Sequence, residues 1–166
     1  MRKLGFALLV LSLAACTPPS SEDASMPQAG LIPGQFIATS NTAMSITGDL
    51  EIWPNRLSFG KGFRLEGSRI DTRLEPNTDL SAGGGTIASG SGNSSVHMVE
   101  LRQIANQRIA ADARDPQLCG EGKTPSYAIL ANGAETLSLL VFSGADVPGP
   151  NAHDTQLCGI FNYQAR

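Results

Sequence analysis

The chain has 166 residues and a formal net charge of −3, from 12 Lys and Arg against 15 Asp and Glu. This length suits one domain with a tail rather than several domains. The basic residues form no patch or run. Because binding to phosphates requires clustered Lys and Arg, nucleic acid is not an expected partner.

The first fifteen residues predict a secretory signal. Arg2 and Lys3 precede an apolar run over residues 4–13, and small residues then lead to Cys16. A basic end, a short apolar core and small residues before a cleavage position are typical of such a signal. The apolar run has about ten residues, whereas a membrane-spanning helix needs about twenty. We therefore expect residues 1–15 to be removed rather than to stay as an anchor.

The tetrapeptide Leu13-Ala14-Ala15-Cys16 ends this segment and resembles the lipobox of bacterial lipoproteins. The resemblance implies that lipid is attached to the Cys16 sulfur, that the signal is cleaved and that the new amino group is acylated. A membrane is then the partner, and Thr17, in place of the Asp that retains such proteins at the inner membrane, favours the outer membrane facing the periplasm. An ordinary signal peptide before a chance cysteine is the alternative.

Residues 16–33 predict a lipidated flexible tether, because they hold four prolines and several hydroxyl side chains and no aromatic. The remainder, residues 34–166, is expected to form a single β-rich domain. Loss of Arg2 and Lys3 with the signal leaves 10 basic against 15 acidic residues, a net charge of −5.

Two cysteines remain after Cys16, and they predict a disulfide between Cys119 and Cys158. An even pair in an exported chain is normally bridged. Each is followed by a glycine, in the repeated sequence Gln-Leu-Cys-Gly, which allows the chain to turn beside the bridge. A redox pair is the alternative, although its usual Cys-x-x-Cys spacing is absent.

Short alternating runs predict strands through the first half of the domain. The longest, Met44–Trp53, alternates over most of its length and places Met44, Ile46, Leu50 and Ile52 on one face. Residues 75–95, rich in Gly, Ser, Asn and Thr, predict a long mobile loop. The other predicted strands are Gln35–Ala38, Arg56–Phe59 and Phe63–Leu65 joined by a hairpin turn at Gly60-Lys61-Gly62, and the less regular Ser68–Leu74.

Residues 96–113 fit both a strand and a helix. As a strand, His97, Val99 and Leu101 share a face. As a helix, the stripe consists of Leu101, Ile104, Ala105, Ile109 and Ala113. We predict a strand to about Leu101 and then a helix to Ala113, with a second strand over Gln107–Ala111 as the alternative.

A hairpin is the clearest element of the second half. The runs Ser126–Ala131 and Thr136–Phe142 flank Asn132-Gly133, which suits a type I′ turn. A last strand over Ile160–Tyr163 places Ile160 and Asn162 on one side and Phe161 and Tyr163 on the other. Together these elements predict a mainly β fold, a small antiparallel β-barrel or sandwich with room for one helix and with one disulfide.

The sequence carries no motif for catalysis, a metal or a cofactor. It has no Gly-x-Ser-x-Gly, no closely spaced His and Cys ligands and no calcium or phosphate loop. Glu51, Glu66, Asp71 and Glu75 could include a glycosidase pair, but surface carboxylates on strands are the commoner explanation. We therefore assign no catalytic and no metal residue.

Trp53 and His97 are the candidate binding residues. Trp53, the one tryptophan, could cap the core or anchor a partner, and capping is the expectation. His97 lies on an apolar alternating run and is expected to be a packed or rim residue.

The favoured function is a non-catalytic binding or envelope-maintenance lipoprotein, with an envelope protein or a glycan as the partner.

The sequence leaves three alternative functions open. The membrane-bound inhibitors of c-type lysozyme are similar in plan, with a lipobox, a short tether and a small disulfide-tied barrel. Ser143-Gly144 matches the start of their inhibitory Ser-Gly-x-x-Tyr, but Val147 stands where the Tyr is required. An envelope hydrolase would need His97 buried beside a carboxylate in a pocket. A structural subunit would show an exposed apolar strand edge.

Overall fold

The domain is a closed barrel of eight antiparallel strands. The computed structural model describes residues 34–70, 74–81 and 84–166, so the predicted signal and tether lie outside the described residues. Each strand pairs with the next along the chain, and the last pairs with the first. The mainly β prediction is confirmed, as a barrel rather than a sandwich. The strands are β1 Gly34–Ala38, β2 Leu50–Trp53, β3 Arg56–Phe59, β4 Phe63–Arg69, β5 Met98–Ile109, β6 Tyr127–Asn132, β7 Thr136–Ser143 and β8 Gln156–Ala165.

Apolar side chains at alternate strand positions fill the barrel interior, because successive residues of a strand point to opposite faces. An eight-stranded barrel is just wide enough for side chains to pack across it. The predicted alternation in the last strand is confirmed, since Phe161 and Tyr163 join this interior cluster. The other buried members from the strands are Phe36, Leu50, Ile52, Leu57, Phe59, Phe63, Leu65, Ile104, Ala128, Leu130, Leu137, Leu139 and Val141.

A second apolar layer covers the outer face of β5, β6 and β7. Strand β6 and most of β7 are buried on both faces, which explains why their sequences are continuously apolar rather than alternating. The β4–β5 connection supplies the cover through Leu80 and Ile87, which pack with Leu140 and Phe142. The prediction of a loop over residues 75–95 is therefore incomplete. The segment contains helix α1, Ile87–Ser91, whose N-cap Thr86 accepts a hydrogen bond from the Ser89 N–H.

The two ends of the barrel are different, and we name them by their contents. The Gly34 rim holds the start of β1, the β2–β3 turn, the β4–β5 connection and the β6–β7 turn. The disulfide rim contains the β1–β2, β3–β4, β5–β6 and β7–β8 connections. It also contains the bridge between Cys119 and Cys158. The bridge, which confirms the predicted pairing, ties the β5–β6 connection to the start of β8. Leu118 beside it is buried in the interior cluster.

The predicted strand Met44–Trp53 is wrong in its first half. Residues Ala43–Thr47 form a π-helical turn, and Met44 is 48% exposed instead of sharing the buried face of Leu50. Gly48 then turns the chain at a φ of 67°, a left-handed conformation that favours glycine. The Thr47 hydroxyl lies 2.6 Å from the Tyr163 hydroxyl inside the barrel. This contact holds the turn over the disulfide rim, and burial raises the pKa of Tyr163.

The predicted helix ending at Ala113 is also wrong, because β5 is one strand of twelve residues. Glu66 pairs with Asn106 and Gly67 with Ile104, so Ala105 forms a bulge. The bulge breaks the period of two and imitates a helical spacing. Leu101 and Ile104 lie in different apolar clusters, on opposite faces of the sheet. Residue 67 must be glycine, since a Cβ there would lie 2.1 Å from the Gln103 carbonyl oxygen.

Both predicted hairpins form, although one turn differs. The β3–β4 hairpin closes with Gly62 at a φ of 84° and with Phe59 paired to Phe63. The β6–β7 hairpin is wider than a type I′ turn, because Asn132 pairs with Leu137 and neither Asn132 nor Gly133 has a positive φ. Glycine at 133 leaves room for the Asn93 and Ser95 side chains, which a Cβ there would displace. The predicted strand Ser68–Leu74 is part of β4 up to Arg69, and residues 71–73 are outside the described ranges.

The bridge should contribute measurably to stability. Replacing both cysteines, Cys119→Ser with Cys158→Ser, removes a loop constraint of 39 residues. We expect the free energy of unfolding in urea to fall by about 4 kcal/mol. Reducing the unaltered protein should give a similar loss, and the double variant should not respond to reductant. Equal stability of the two proteins without reductant would contradict a structural role.

Candidate functional site

The β2–β3 hairpin presents an exposed tryptophan, Trp53, and a half-buried arginine, Arg56, at the Gly34 rim. The Arg56 guanidinium carbon lies 4.4 Å from the centroid of the Trp53 ring, within the range of a cation–π interaction. The ring is on the outer face of the barrel, because Leu50 and Ile52 occupy the inward positions of β2. Trp53 is 40% exposed. The expectation that it caps the core is therefore wrong.

A buried arginine holds this hairpin from inside the barrel. Arg102 Nη1 donates to the carbonyl oxygens of Trp53, at 2.7 Å, and of Arg56, at 3.4 Å. These two carbonyls flank the turn, so one guanidinium fixes both of its ends. We call this arrangement the Arg102 clamp.

The clamp depends on an ion pair in the barrel interior. Arg102 Nε donates to Glu100 Oε1 at 2.6 Å, and the two side chains are 1% and 0% exposed. Removing two charges from water costs several kcal/mol each, which their attraction and hydrogen bonds must offset. Arg102 Nη2 is buried without a hydrogen-bond partner. The spacing i, i+2 put both residues on one strand face, but the sequence could not show that this face is the interior.

His97 lies at the Gly34 rim but not in a catalytic arrangement. It precedes β5, it is exposed, and its Nδ1 is 3.5 Å from the Ser95 carbonyl oxygen. No carboxylate within the described ranges forms a bond with its ring. Trp53 and His97 thus share one rim without being brought into contact. The buried histidine and carboxylate that a hydrolase would need do not form at His97.

The other histidine and its acidic neighbours belong to the β7–β8 connection. Backbone N–H groups of Asp154 and His153 donate to Asp146 Oδ2 at 2.7 and 2.8 Å. These two bonds, that of Asp154 first, hold the pKa of the Asp146 carboxyl below its usual range. The carboxylate therefore orders a connection. Ser143, the first residue of the Ser-Gly match to the lysozyme inhibitors, is buried where β7 ends.

Two of the four candidate glycosidase carboxylates, Glu51 and Glu66, form hydrogen bonds at the barrel surface. Glu66 accepts from Arg64 at 2.7 Å and from Arg108 at 3.4 Å, and the Arg64 bond is the main cause that lowers its pKa. Glu51 accepts from Gln35 at 3.4 Å. Asp71 is outside the described ranges.

Neither a metal site nor a membrane-spanning helix is found in the described parts of the chain. Among those residues, no three His, Cys, Asp or Glu side chains are grouped closely enough to hold a metal ion. No helix there has the length and apolar character needed to cross a membrane.

A polar groove of about 510 Å³ lies outside the barrel, next to β7 and β8. Ser138 and Asn162 form a cross-strand pair on its floor, and the segment after α1 makes one wall. Asn162 Oδ1 is buried without a hydrogen-bond partner. Buried polar atoms are nearly always paired, so such an atom in a groove marks a place for a ligand or water. The groove is lined by Thr39, residues 91–95, residues 134–136, Ser138 and Asn162.

Hydrogen bonds hold the walls of the polar groove. Asn93 Nδ2 donates to Thr136 Oγ1 at 2.8 Å, and Ser95 donates to Asn93 Oδ1 through its N–H and its hydroxyl. The Ser138 hydroxyl donates to the Ser91 carbonyl oxygen at 3.3 Å. Sequence reasoning missed this site, because its residues are scattered over the chain and several were interpreted as loop composition.

The described residues thus define a closed up-and-down β-barrel with side chains packed through its interior, a clamped aromatic hairpin at one rim and a polar groove on its outer face. No protein-family model, curated protein or solved structure matches the chain. Its function must therefore be inferred from the sequence and from these sites.

The Arg102 clamp can be tested by comparing a buried with an exposed ion pair. Arg102→Met leaves the Glu100 carboxylate buried without this partner, so we expect a loss of about 3–5 kcal/mol in urea unfolding. Arg64→Met is the matched control. It breaks an ion pair whose side chains are 51% and 29% exposed, and should cost less than about 1 kcal/mol.

The double variant Glu100→Leu with Arg102→Met should recover part of the loss, because no lone buried charge is then left. Equal losses for Arg102→Met and Arg64→Met would contradict the clamp.

Proposed function

We propose that this chain is an exported lipoprotein, anchored to the outer membrane through lipid on Cys16 and facing the periplasm. Its domain acts there as a non-catalytic binding module. The ligand class that suits it is an uncharged, hydroxyl-rich envelope glycan held in the polar groove.

The use of the three cysteines supports export and lipidation. The bridge takes Cys119 and Cys158, and such bridges persist in oxidising compartments outside the cytoplasm. This pairing leaves Cys16, which is the cysteine at the end of the Leu13-Ala14-Ala15-Cys16 segment. One acyl chain binds a membrane only marginally, and further chains make the attachment stable. The three chains that the lipobox implies would thus keep the domain at the membrane.

The packing of the barrel supports binding on its outer surface. Barrels that bind a ligand in the lumen leave part of it open, whereas here the inward apolar side chains form one cluster. This packing favours a ligand at the rims or on the outer face, where the polar groove lies.

The chemistry of the groove supports a neutral ligand with many hydroxyl groups. Its polar groups are Ser and Thr hydroxyls and Asn amides, and of the described residues that line it, Glu135 alone is ionisable. Hydroxyls and amides donate and accept in turn, as sugar hydroxyls and acetamido groups do. The unpaired Asn162 Oδ1 is the observation that carries the proposal, because a ligand hydroxyl could donate to it.

Lipidation can be tested by metabolic labelling with an alkyne fatty acid in a two-membrane bacterium. The unaltered chain should take up the label and float with outer-membrane vesicles. Cys16→Ser should lose both properties, because the acylated sulfur and the cleavage that depends on it are gone. The matched control is Cys119→Ser with Cys158→Ser, which should keep the label. Labelling that survives Cys16→Ser would contradict the proposal.

Glycan binding can be tested by NMR titration of the full lipidated protein in detergent micelles with N-acetylglucosamine oligosaccharides. We expect amide shifts centred on the groove, for example at Asn93 and Thr136. Asn162→Ala removes the unpaired acceptor and should weaken binding about fivefold, the value of one hydrogen bond of about 1 kcal/mol. The control Asn106→Ala alters an exposed amide on β5 outside the groove. Shifts that avoid the groove, or an equal effect of the two variants, would contradict this ligand class.

A further inference from the structure

The tether joins the barrel beside the exposed tryptophan. Strand β1 begins at Gly34, which pairs with Ile52, the residue before Trp53. The chain that leads back to Cys16 therefore leaves from the Gly34 rim, next to the Trp53–Arg56 pair. This rim is the part of the barrel from which the chain runs toward the proposed lipid on Cys16.

The length of the tether limits how far this rim can move away. Seventeen residues, 17–33, separate Cys16 from Gly34. Even fully extended, they span at most about 60 Å. A surface linked in this way meets the membrane at a high effective concentration, so that a weak contact can be occupied without strong affinity of its own.

The chemistry of the Trp53–Arg56 pair suits a phospholipid headgroup layer. An indole has an apolar body and a polar N–H, and tryptophan is enriched where lipid meets water. A guanidinium recognises phosphate with two parallel hydrogen bonds. Arg56 makes no ion pair with a carboxylate of the described residues, so its charge is available for a phosphate.

The Arg102 clamp prepares this pair for binding. The carbonyls of both residues are fixed by a buried guanidinium, and the side chains are stacked on each other. A preformed contact loses less conformational entropy on binding than a flexible one. The Glu100–Arg102 ion pair is buried and cannot contact a membrane itself. Through these carbonyls it fixes the conformation of the exposed hairpin.

We propose that the Trp53–Arg56 pair inserts into the headgroup layer of the membrane that carries the Cys16 lipid, and so orients the barrel with its Gly34 rim toward that membrane. This inference rests on the proposed lipidation. The acyl chains provide the affinity, and the hairpin sets the orientation, which leaves the disulfide rim pointing away from the bilayer.

The test uses tryptophan fluorescence, because Trp53 is the one tryptophan in the chain. The full lipidated protein is reconstituted into vesicles of phosphatidylethanolamine and phosphatidylglycerol, with and without lipids brominated near the headgroup. We expect the Trp53 emission to be quenched in vesicles that contain the brominated lipid, relative to the same protein in vesicles without it. Arg56→Gln should reduce the quenching, since the cation and the stack are lost.

A relocated indole is the matched control. Trp53→Phe combined with Val147→Trp moves the fluorophore to the β7–β8 connection at the disulfide rim, where residue 147 is 48% exposed and tolerates a larger side chain. This lipidated variant should bind the same vesicles without quenching. Doubling the tether to 34 residues should lower the effective concentration about threefold and reduce the quenching of Trp53.

The outcomes separate this inference from the proposed function. A lipidated protein that floats with the vesicles, but whose Trp53 is not quenched, overturns the orientation and leaves the anchor intact. Equal quenching at positions 53 and 147 overturns it as well, because neither rim is then preferred. A chain that is not acylated and does not float overturns the proposed function itself.

Discussion

Closure of the barrel is the constraint on which the rest of the structure depends. Strand β1 has only five residues, yet it pairs with β2 on one side and with β8 on the other. A closed sheet has no free edge for association, and eight strands leave an interior that side chains can fill. Inward positions must then be apolar and must fit one another. One exception is the Glu100–Arg102 ion pair, which is satisfied in part by carbonyls of the β2–β3 hairpin.

The same closure makes the two ends of the barrel suitable for different tasks. At the disulfide rim, the bridge and the bond between Thr47 and Tyr163 tie the connections down. At the Gly34 rim, short turns leave the Trp53 hairpin exposed, and the chain toward Cys16 departs. The long β4–β5 connection adds an apolar layer and also one wall of the polar groove. The anchoring, orientation and binding that we propose would therefore use separate parts of one small domain.

Local patterns predicted much of the fold, and their failures have definite causes. The hairpin around Asn132-Gly133 and the faces of the last strand were predicted because both depend on neighbours in sequence. The helix after Leu101 was wrong because Leu101 and Ile104 are buried on opposite faces of the sheet and because the bulge at Ala105 then breaks the period of two. The strand at Met44 was wrong because Tyr163, more than a hundred residues later, holds a tight turn at Thr47. Neither cause can be read from a window of a few residues.

By itself the sequence determined the pairing of Cys119 with Cys158 and the mainly β class, since both follow from composition and short periodicity. It also predicts a signal from its charge and apolar pattern, and a lipobox by resemblance to bacterial lipoproteins. Only the tertiary structure decided that the sheet closes, that Arg102 lies inside it, that Trp53 faces outward and that Asn93, Thr136 and Asn162 meet in one groove. The physical reason is that strand pairing is non-local. Which face of a strand becomes the interior is fixed when β8 meets β1, and not by the residues of either strand alone.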